Sequence, residues 1–520
     1  MIAWLPELVY LRDSFGVNKA LVCDAAGTIA KIVDADELTD EKKISLPRRA
    51  LLPGMINAHS HAFQRVIRGK TEYRSFSGGL LPAVSAGSPT LNNAHDRDSF
   101  WTWREMMYSA AMRLTPEEIY DAARMAFLEM TLNGITAVGE FHYLHHAPDG
   151  NSYDDPNLLA KEVLRAAGDV GLRIALLRVA YARSGFQKEM NPKQKRFIES
   201  DSATYLKNLE RLIADVPRGT SPIVREGSSS AAKSGALPDG RANAPTAWIG
   251  IAPHSVRAVP LNYLKDVIAY ASEHDLKVHM HVAEQPAEVS ACIEEHGRTP
   301  VALLQTEGLL SERFTAVHAI HVTPKAIRSF AETHAMVCAC PTTERNLGDG
   351  VVPADEYLKH EVPICLGTDS HAQIDLLEDA RELEYHLRLQ KLERAVLGGN
   401  PTVREGASGL EHESTLPDGR VSAIASRLFD CATINGARSI GASGGMLEVG
   451  QPADFFTVDL DDPSIAGASR DDLLPAIVFS LSRAAVHEVV VGGKPIVSEG
   501  RHLIQEEVVE RFNELQKRLW

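Results

Sequence analysis

Residues 54–61 read GMINAHSH, an apolar run that ends in two histidines one residue apart. Successive side chains of a β-strand point to opposite faces, so His59 and His61 would lie on the same face. Two imidazoles on one face can bind one metal ion, although a His-x-His pair alone is a weak signal. The stretch therefore predicts a buried strand whose end carries part of a metal site.

Seven further apolar runs of strand length follow this one, and most are separated by helical stretches. They are residues 136–142, 173–181, 248–255, 277–284, 314–320, 335–341 and 363–369. Apolar runs that alternate with helices indicate βα units and a parallel sheet, and eight such units predict a closed (β/α)8 barrel. An open Rossmann-like sheet is the alternative, and it is disfavoured because no Gly-rich phosphate turn follows an early strand.

The two chain ends have a different pattern. Short β-like runs fill residues 1–52, and a second β-rich set includes ADFFTVDL at 453–460 and AVHEVVVGGKPIVSEG at 485–500. A chain of 520 residues is too long for one small core, which favours one large domain with a smaller one beside it. We therefore expect a smaller β-rich unit next to the barrel.

Three stretches look inserted between the barrel units. Residues 75–97 are rich in Ser, Gly and Asn, and the segments 220–245 and 398–420 each hold one copy of an 18-residue repeat that begins VREG and ends LPDGR. The repeats have neither helical nor strand periodicity and end in a turn signal. A duplicated surface excursion without a catalytic role is the expected interpretation, and a partner-binding loop is the alternative.

Composition excludes several classes of partner. The net charge of −15 argues against nucleic acid and anionic membranes, although an anionic small molecule can still bind where arginines are placed locally. No apolar run is long enough to span a bilayer. The first sixteen residues lack a basic segment and carry Glu7, which is not typical of a secretory signal. Six scattered cysteines without a CxxC pair indicate a reduced, cytoplasmic protein.

Groups that carry chemistry recur at the ends of the predicted strands. Catalytic residues of a barrel lie at the C-terminal ends of its strands, and six candidates fall there. They are His59 and His61 on the first run, His281 and Glu284 on the fifth, His318 on the sixth and Asp369 on the eighth. Any one of these histidines alone could be a packed or solvent-facing residue, but their order on successive strand ends favours a shared site.

Three neutral imidazoles and one carboxylate make a plausible zinc shell with an open position for water, whose pKa zinc lowers to about 7. Asp369 would contact both the metal and the water and accept a proton. Glu284 would carry that proton to a leaving nitrogen as general acid and base, and His318 would hydrogen-bond the developing tetrahedral centre.

A second set of residues is suited to an anionic substrate, because arginine binds carboxylates through two parallel hydrogen bonds. The set is Gln64, Arg104, Tyr143, His254 and Arg257. The alternatives are a solvated helix residue for Arg104 and a core aromatic for Tyr143. Several other histidines near these strands are predicted to support or orient their neighbours, namely His142, His145, His146, His279, His321 and His371.

Together with these candidate residues, four sequence segments resemble the mononuclear deaminase branch of the amidohydrolase superfamily. The segments are LLPGMINAHSHAFQR, HVAEQ, VHAIH and GTDSH. Within that branch, DSFWTWREMMY, EFHYLHH, APHSVRAV and PTTERNLGDG resemble the formimidoylglutamate deiminase family. The likeness extends over nearly the whole chain except the three inserts. It implies hydrolysis of N-formimino-L-glutamate to N-formyl-L-glutamate and ammonia, in histidine degradation.

The resemblance also implies a fold and a ligand set. The fold is a (β/α)8 barrel over 55–448, with a small β-sandwich built from 1–54 and 449–505; we expect a C-terminal helix over 506–520. One zinc per chain would bind to three histidines and one aspartate, although iron(II) accepts the same set. These ligands are His59, His61, His281 and Asp369. Glu284, His318 and Asp369 would be catalytic, and the anion-suited set would bind the substrate.

Relatives of this type suggest that the protein forms a homodimer.

Three alternatives to the deiminase function remain at this point. The first is a related deaminase acting on another imino or amino compound, such as a purine. The second is a binuclear amide or ester hydrolase, which typically needs a bridging lysine or glutamate on a barrel strand; the third and fourth runs offer no such lysine. The third is a non-catalytic binder on a decayed barrel.

Overall fold

The computed structural model describes residues 1–12, 14–72, 100–188, 190–216, 246–398 and 423–520. The predicted inserts at 75–97 and 220–245 lie outside the described residues, as does the whole of 398–420 except Gly398. Among the described residues, no helix combines the length and the apolar character needed to cross a bilayer.

The strands of the described residues fall into two sheets. In chain order they are β1 (Ile2–Leu11), β2 (Ser14–Val17), β3 (Lys19–Cys23), β4 (Ile29–Asp34), β5 (Lys42–Pro53), β6 (Met55–Ser60), β7 (Ile135–His142), β8 (Arg173–Ala180), β9 (Ala247–Pro253), β10 (Val278–Val282), β11 (Phe314–His318), β12 (Met336–Ala339), β13 (Ile364–Leu366), β14 (Phe455–Asp459), β15 (Val486–Val491), β16 (Lys494–Ser498) and β17 (Arg501–His502).

Helices connect most of the strands. In chain order the described α-helices are α1 (Phe100–Ala111), α2 (Pro116–Thr131), α3 (Leu158–Val170), α4 (Ser202–Asp215), α5 (Leu261–Glu273), α6 (Pro286–His296), α7 (Pro300–Thr306), α8 (Pro324–Thr333), α9 (Pro341–Leu347), α10 (Ala354–Lys359), α11 (Leu376–Lys391), α12 (Ala423–Ala432), α13 (Ile434–Ile440), α14 (Leu473–Ser480) and α15 (Gln505–Leu519). Short 3-10 turns cover Ala35–Glu37, Ala62–Ile67, Pro192–Gln194, Val396–Gly398 and Arg483–Ala485.

Strands β6 to β13 form one eight-stranded sheet in which each strand lies beside its neighbours in the chain. All of these neighbouring pairs are parallel. Every residue of β7 and β8 is buried, as expected for strands covered on both faces. The predicted barrel is confirmed, and each of the eight apolar runs overlaps one of its strands, although β7 and β9 begin one residue before their runs.

Local signals explain where the outer helices begin and end. The side chain of Thr115 accepts a hydrogen bond from the N–H of Glu118, and the Glu118 carboxylate accepts the N–H of Thr115. This capping box, followed by Pro116 at the first helical position, begins α2. Helix α3 ends at Gly171, whose φ of 81° is accessible to glycine at little cost.

The second sheet is mixed and is built from both chain ends. Its order is β17-β16-β15-β14-β5-β1-β3-β4, with β2 paired to β1. It has a small core of its own that includes Trp4 and Phe455, whose rings meet edge to face at 5.2 Å. A buried ion pair joins it to the barrel, since Arg173 Nε of β8 lies 2.6 Å from Asp454 Oδ2. The predicted β-rich unit formed by both ends is thus confirmed.

The barrel closes between its first and last strands at a single bridge, Ser60 with Asp369. The N–H of Asp369 donates to the carbonyl oxygen of His59 at 3.0 Å, and the N–H of His61 donates to the carbonyl oxygen of Asp369 at 3.0 Å. Closure therefore places three of the predicted metal ligands at one seam.

Candidate active site

Four of the predicted site residues converge at the C-terminal mouth of the barrel. One ligand atom from each of His59, His61, His281 and Asp369 lies within 4.8 Å of the others, and all four side chains are buried. His59 Nε2 is 3.2 Å from His61 Nε2. Asp369 Oδ1 lies 3.4 Å from His59 Nε2 and 3.1 Å from His61 Nε2.

Main-chain carbonyl groups fix the orientation of two of these rings. His61 Nδ1 donates to the carbonyl oxygen of Phe141 at 3.0 Å, and His281 Nδ1 donates to that of His254 at 3.2 Å. A proton held on Nδ1 leaves the lone pair of a neutral ring on Nε2. The outer hydrogen bonds thus direct the lone pairs of both rings toward the cluster.

Burial favours the neutral form of two of the imidazoles, those of His59 and His281. It lowers the pKa of His59 to about 3 and holds that of His281 well below its ordinary value. Metal ions bind neutral imidazole, so both rings are in the form a ligand needs. Nitrogen lone pairs and a carboxylate oxygen thus meet at about 3 Å in a buried space, an arrangement that a divalent cation would stabilise. The donor set fits zinc, which takes His nitrogen and Asp oxygen ligands.

Glu284 and His318 lie beside this cluster. His318 Nε2 is 3.7 Å from Glu284 Oε1 and 3.7 Å from Asp369 Oδ2, and it has no hydrogen-bond partner among the described residues. Burial raises the pKa of Glu284 above its ordinary value, even though His318 opposes this shift. A carboxyl group with a raised pKa is suited to take up and release a proton near neutral pH.

The charge on His318 results from opposing effects. Burial would lower its pKa, but the carboxylates of Glu284, Glu344 and Asp369 outweigh burial and raise it to about 10. The raised pKa favours a ring with a proton on each nitrogen, and Nε2 lies 3.7 Å from a carboxylate oxygen of both Glu284 and Asp369. A donor at this position can hydrogen-bond an oxygen on which negative charge develops.

Left-handed backbone occurs at three of these strand ends. The φ angles of Ala283, His318 and Asp369 are 53°, 68° and 42°. Such angles are uncommon outside glycine and concentrate at functional sites. They occur here where the chain leaves β10 and β11 and where Asp369 reaches the closing seam.

The predicted substrate residues line the pocket in front of the cluster. Arg104 on α1 and Arg257 after β9 both border it. The guanidinium carbon of Arg104 lies 4.4 Å from the centre of the Trp101 ring, and that of Arg257 lies 6.0 Å from the same ring. Burial first and then the charge of Arg257 lower the pKa of Arg104. The two positively charged guanidinium groups thus both contact the ring of Trp101.

Neither arginine forms an ion pair with an acid of the described chain, although, against the effect of burial, Tyr181, Glu288 and Glu284 together raise the pKa of Arg257. Nε and Nη1 of Arg104 are buried without a hydrogen-bond partner, and Arg257 forms no ion pair with a described residue. Arg104 is therefore not the solvated helix residue of the alternative interpretation.

Gln64, Tyr143 and His254 complete the pocket wall. Gln64 Nε2 donates to the Tyr143 hydroxyl at 2.8 Å, while Gln64 Oε1 is buried and has no partner among the described residues. Burial holds the pKa of Tyr143 well above its ordinary value, so the phenol keeps its proton. The His254 ring lies 4.6 Å from that of Tyr181. All predicted site residues are thus brought to one place.

Several contributors were not predicted from the sequence. The Trp101 ring contacts the guanidinium groups of both Arg104 and Arg257. Gln194 Nε2 donates to the hydroxyl groups of Tyr108 and Tyr181 at 2.6 Å each. Glu344 accepts a hydrogen bond from His318. Trp101 and Glu344 belong to motifs that carry the family resemblance, which was the signal available for them.

The six histidines that were predicted to support or orient their neighbours are not among the four metal-ligand candidates, and most of them form hydrogen bonds around the site. His371 Nε2 is 3.0 Å from the Ser60 hydroxyl, which donates to Glu140 at 2.6 Å. His279 Nε2 contacts Ser439 deeper in the barrel. His145, His146 and His321 donate to main-chain carbonyl groups, and His142 is buried beside His145.

A cluster of His and Asp metal ligands at the mouth of a (β/α)8 barrel is typical of metal-dependent hydrolases. The sequence model of the amidohydrolase family matches residues 50–496. The chain belongs to the amidohydrolase family and is a hydrolase of carbon–nitrogen bonds other than peptide bonds.

Its similarity to individual proteins is extensive. It is 34% identical to formimidoylglutamate deiminase of Pseudomonas aeruginosa over 513 residues, which covers 98% of each chain. It is 26% identical to 8-oxoguanine deaminase of the same species, with 94% of each chain covered. Among solved structures, an amidohydrolase from Brucella melitensis matches with a TM-score of 0.78 at 31% identity, with both chains fully covered.

Proposed function

We propose that this protein is a zinc-dependent deiminase that hydrolyses N-formimino-L-glutamate to N-formyl-L-glutamate and ammonia. The observation that carries the proposal is the pair Arg104 and Arg257, two cations that form no ion pair with a described residue and border the pocket that adjoins the His/Asp cluster. The 34% identical relative bears the name of this activity, which supports the same substrate.

The substrate has two carboxylates and one amidine. Each carboxylate can take a bidentate hydrogen bond from one guanidinium group, which supplies both charge and orientation. The unpaired Gln64 Oε1 is an acceptor for an N–H of the substrate, and the Tyr143 phenol is a donor. With its carboxylates held at the arginines, the substrate directs its formimino carbon toward the cluster.

His59, His61, His281 and Asp369 would hold the zinc ion. Zinc bound there supplies a Lewis acid and lowers the pKa of a water molecule to about 7. Hydrolysis forms a C–O bond at the formimino carbon and breaks its bond to the terminal nitrogen.

The protons are moved by the chain's own residues. Glu284 and Asp369 take the proton lost by water, and Glu284 delivers one to the departing nitrogen, so that ammonia leaves. His318 Nε2–H donates a hydrogen bond to the oxygen of the tetrahedral centre. The 3.7 Å separations of His318 from Glu284 and Asp369 leave room for the reacting group between them.

A purine deaminase is the second candidate. The pocket is also lined by the aromatic rings of Trp103, Tyr108, Tyr181 and Phe197, and one relative acts on 8-oxoguanine by its name. Stacking on such rings would suit a purine. Two unpaired arginines, however, match a dianion better than a neutral base.

The test compares kcat/KM of the zinc-loaded protein for N-formimino-L-glutamate, guanine, 8-oxoguanine and N-formiminoglycine, which lacks the second carboxylate. We expect N-formimino-L-glutamate to exceed the purines by several orders of magnitude and N-formiminoglycine by about 10- to 100-fold, from one lost charge-assisted interaction. Preferential turnover of a purine would overturn the proposal in favour of the second candidate.

A further inference from the structure

Glu344 lies behind the site and is used by none of the steps above. It stands in the first turn of α9, and its side chain is buried. Its Oε1 lies 3.2 Å from His318 Nδ1 and accepts the main-chain N–H of Cys340 at 2.9 Å. The carboxylate thus links the end of β12 to the ring of a residue at the end of β11.

The three side chains of His318, Cys340 and Glu344 are close enough for a second metal ion. Hydrogen bonding explains the arrangement better. Glu344 Oε1 already accepts two N–H groups, and burial raises the pKa of the Cys340 thiol well above its ordinary value, which disfavours the thiolate that binds metals.

We propose that Glu344 is a positioning residue that accepts the Nδ1–H of His318 and thereby keeps Nε2–H directed at the reacting group. A histidine ring attached to a strand end can otherwise rotate about its side-chain bonds, which would turn Nε2–H away from the site. The Cys340 N–H fixes the carboxylate, and the carboxylate fixes the ring. Nε2 then faces Glu284 and Asp369 at 3.7 Å each.

The placement of the proton is testable without turnover. In protein labelled with ¹⁵N-histidine, a hydrogen-bonded Nδ1–H gives a strongly downfield proton signal, which His318→Asn would assign. We expect this signal in the wild-type protein, a shifted signal in Glu344→Gln, whose amide oxygen still accepts, and no signal in Glu344→Ala. Absence from the wild type, or persistence in Glu344→Ala, would overturn the proposal.

The kinetic test rests on the proposed function. For N-formimino-L-glutamate, we expect Glu344→Ala to lower kcat about 10- to 100-fold, as for other residues that orient site groups, with KM within about threefold. Glu344→Gln should recover part of this loss. An unchanged kcat, or a change confined to KM, would overturn the inference. If Glu344→Ala does not fold, Glu344→Asp, which withdraws the carboxylate from the ring, should show the same loss.

Two controls separate positioning from general damage. Glu384→Gln removes another buried carboxylate that accepts main-chain N–H groups, those of Val396 and Leu397, and that does not line the pocket. Cys340→Ala removes a thiol but keeps the N–H that Glu344 uses. Both should retain wild-type kcat, and loss of a second metal ion from Cys340→Ala would support the metal interpretation instead. A wild type that releases no ammonia would defeat the proposed function, while the proton signal would still decide the role of Glu344.

Discussion

The main-chain N–H of Asp369 donates to the carbonyl oxygen of His59 at 3.0 Å, so two predicted metal ligands are joined by the hydrogen bond that closes the barrel. Their relative position is set by main-chain pairing. The ligand cluster is therefore expected to be largely formed before metal binds, and its geometry should depend on how tightly β6 and β13 approach.

Gly367 permits that approach. A Cβ at this position would lie 2.7 Å from His59 Cβ and 2.9 Å from its carbonyl oxygen. We expect Gly367→Ala to destabilise the fold by about 1–3 kcal/mol through overpacking and to weaken metal binding. Urea unfolding and a metal titration would measure both. Gly168→Ala in α3, where nothing lies within 4 Å of the added carbon, is the matched control and should leave metal affinity unchanged.

Glu284→Gln should retain one metal ion per chain and lose most turnover. The carboxyl group is buried and its pKa is raised, so a neutral amide of the same shape is expected to be tolerated. Loss of a general acid and base lowers kcat by about 100- to 10,000-fold. Elemental analysis and ammonia release on one sample check the expectation. Near-normal kcat would remove Glu284 from the mechanism.

Arg257→Met should chiefly weaken substrate binding. A charge-assisted hydrogen bond contributes about 1.5–3 kcal/mol, so KM is expected to rise about 10- to 100-fold. Arg165→Met on α3, whose guanidinium pairs with Glu117 and Glu162 instead, is the control. An unchanged KM for Arg257→Met would count against a dianionic substrate.

Trp101→Leu should raise KM through both arginines at once. Cation–π contact contributes about 0.5–2 kcal/mol, and the ring also separates two like charges. We expect KM to rise about 2- to 30-fold with little change in kcat. Trp101→Phe, which keeps an aromatic face, should lie between this variant and the wild type. Equal KM values for all three proteins would show that the ring is incidental.

Much of the framework could be predicted from the sequence because it depends on local pattern. The barrel strands are continuous apolar runs, and most of the reactive groups stand at or near the ends of those runs, as Glu284 ends the run 277–284 and Asp369 ends the run 363–369. Strand ends of a parallel barrel meet at one face, so order along the chain predicts proximity. The β-rich unit at the chain ends could likewise be predicted, because its strands are also short β-like runs in the local sequence.

Contacts between distant segments were less visible. Trp101 meets Arg257 across more than 150 residues of chain, and nothing in the spacing of either segment specifies that ring. In the sequence, Glu344 cannot be distinguished from an ordinary carboxylate in the first turn of a helix. Its contact with His318 Nδ1 arises only because β12 and α9 pack beside the end of β11. Such positions follow from how strands and helices pack, which periodicity does not encode.

The most direct measurement is ammonia release from N-formimino-L-glutamate by protein stripped with a chelator and then titrated with zinc. We predict no release from the stripped protein and recovery that is complete at one zinc per chain, with one N-formyl-L-glutamate formed for each ammonia. Full activity without metal, or a folded protein that binds one zinc and releases no ammonia from this substrate, would contradict the account.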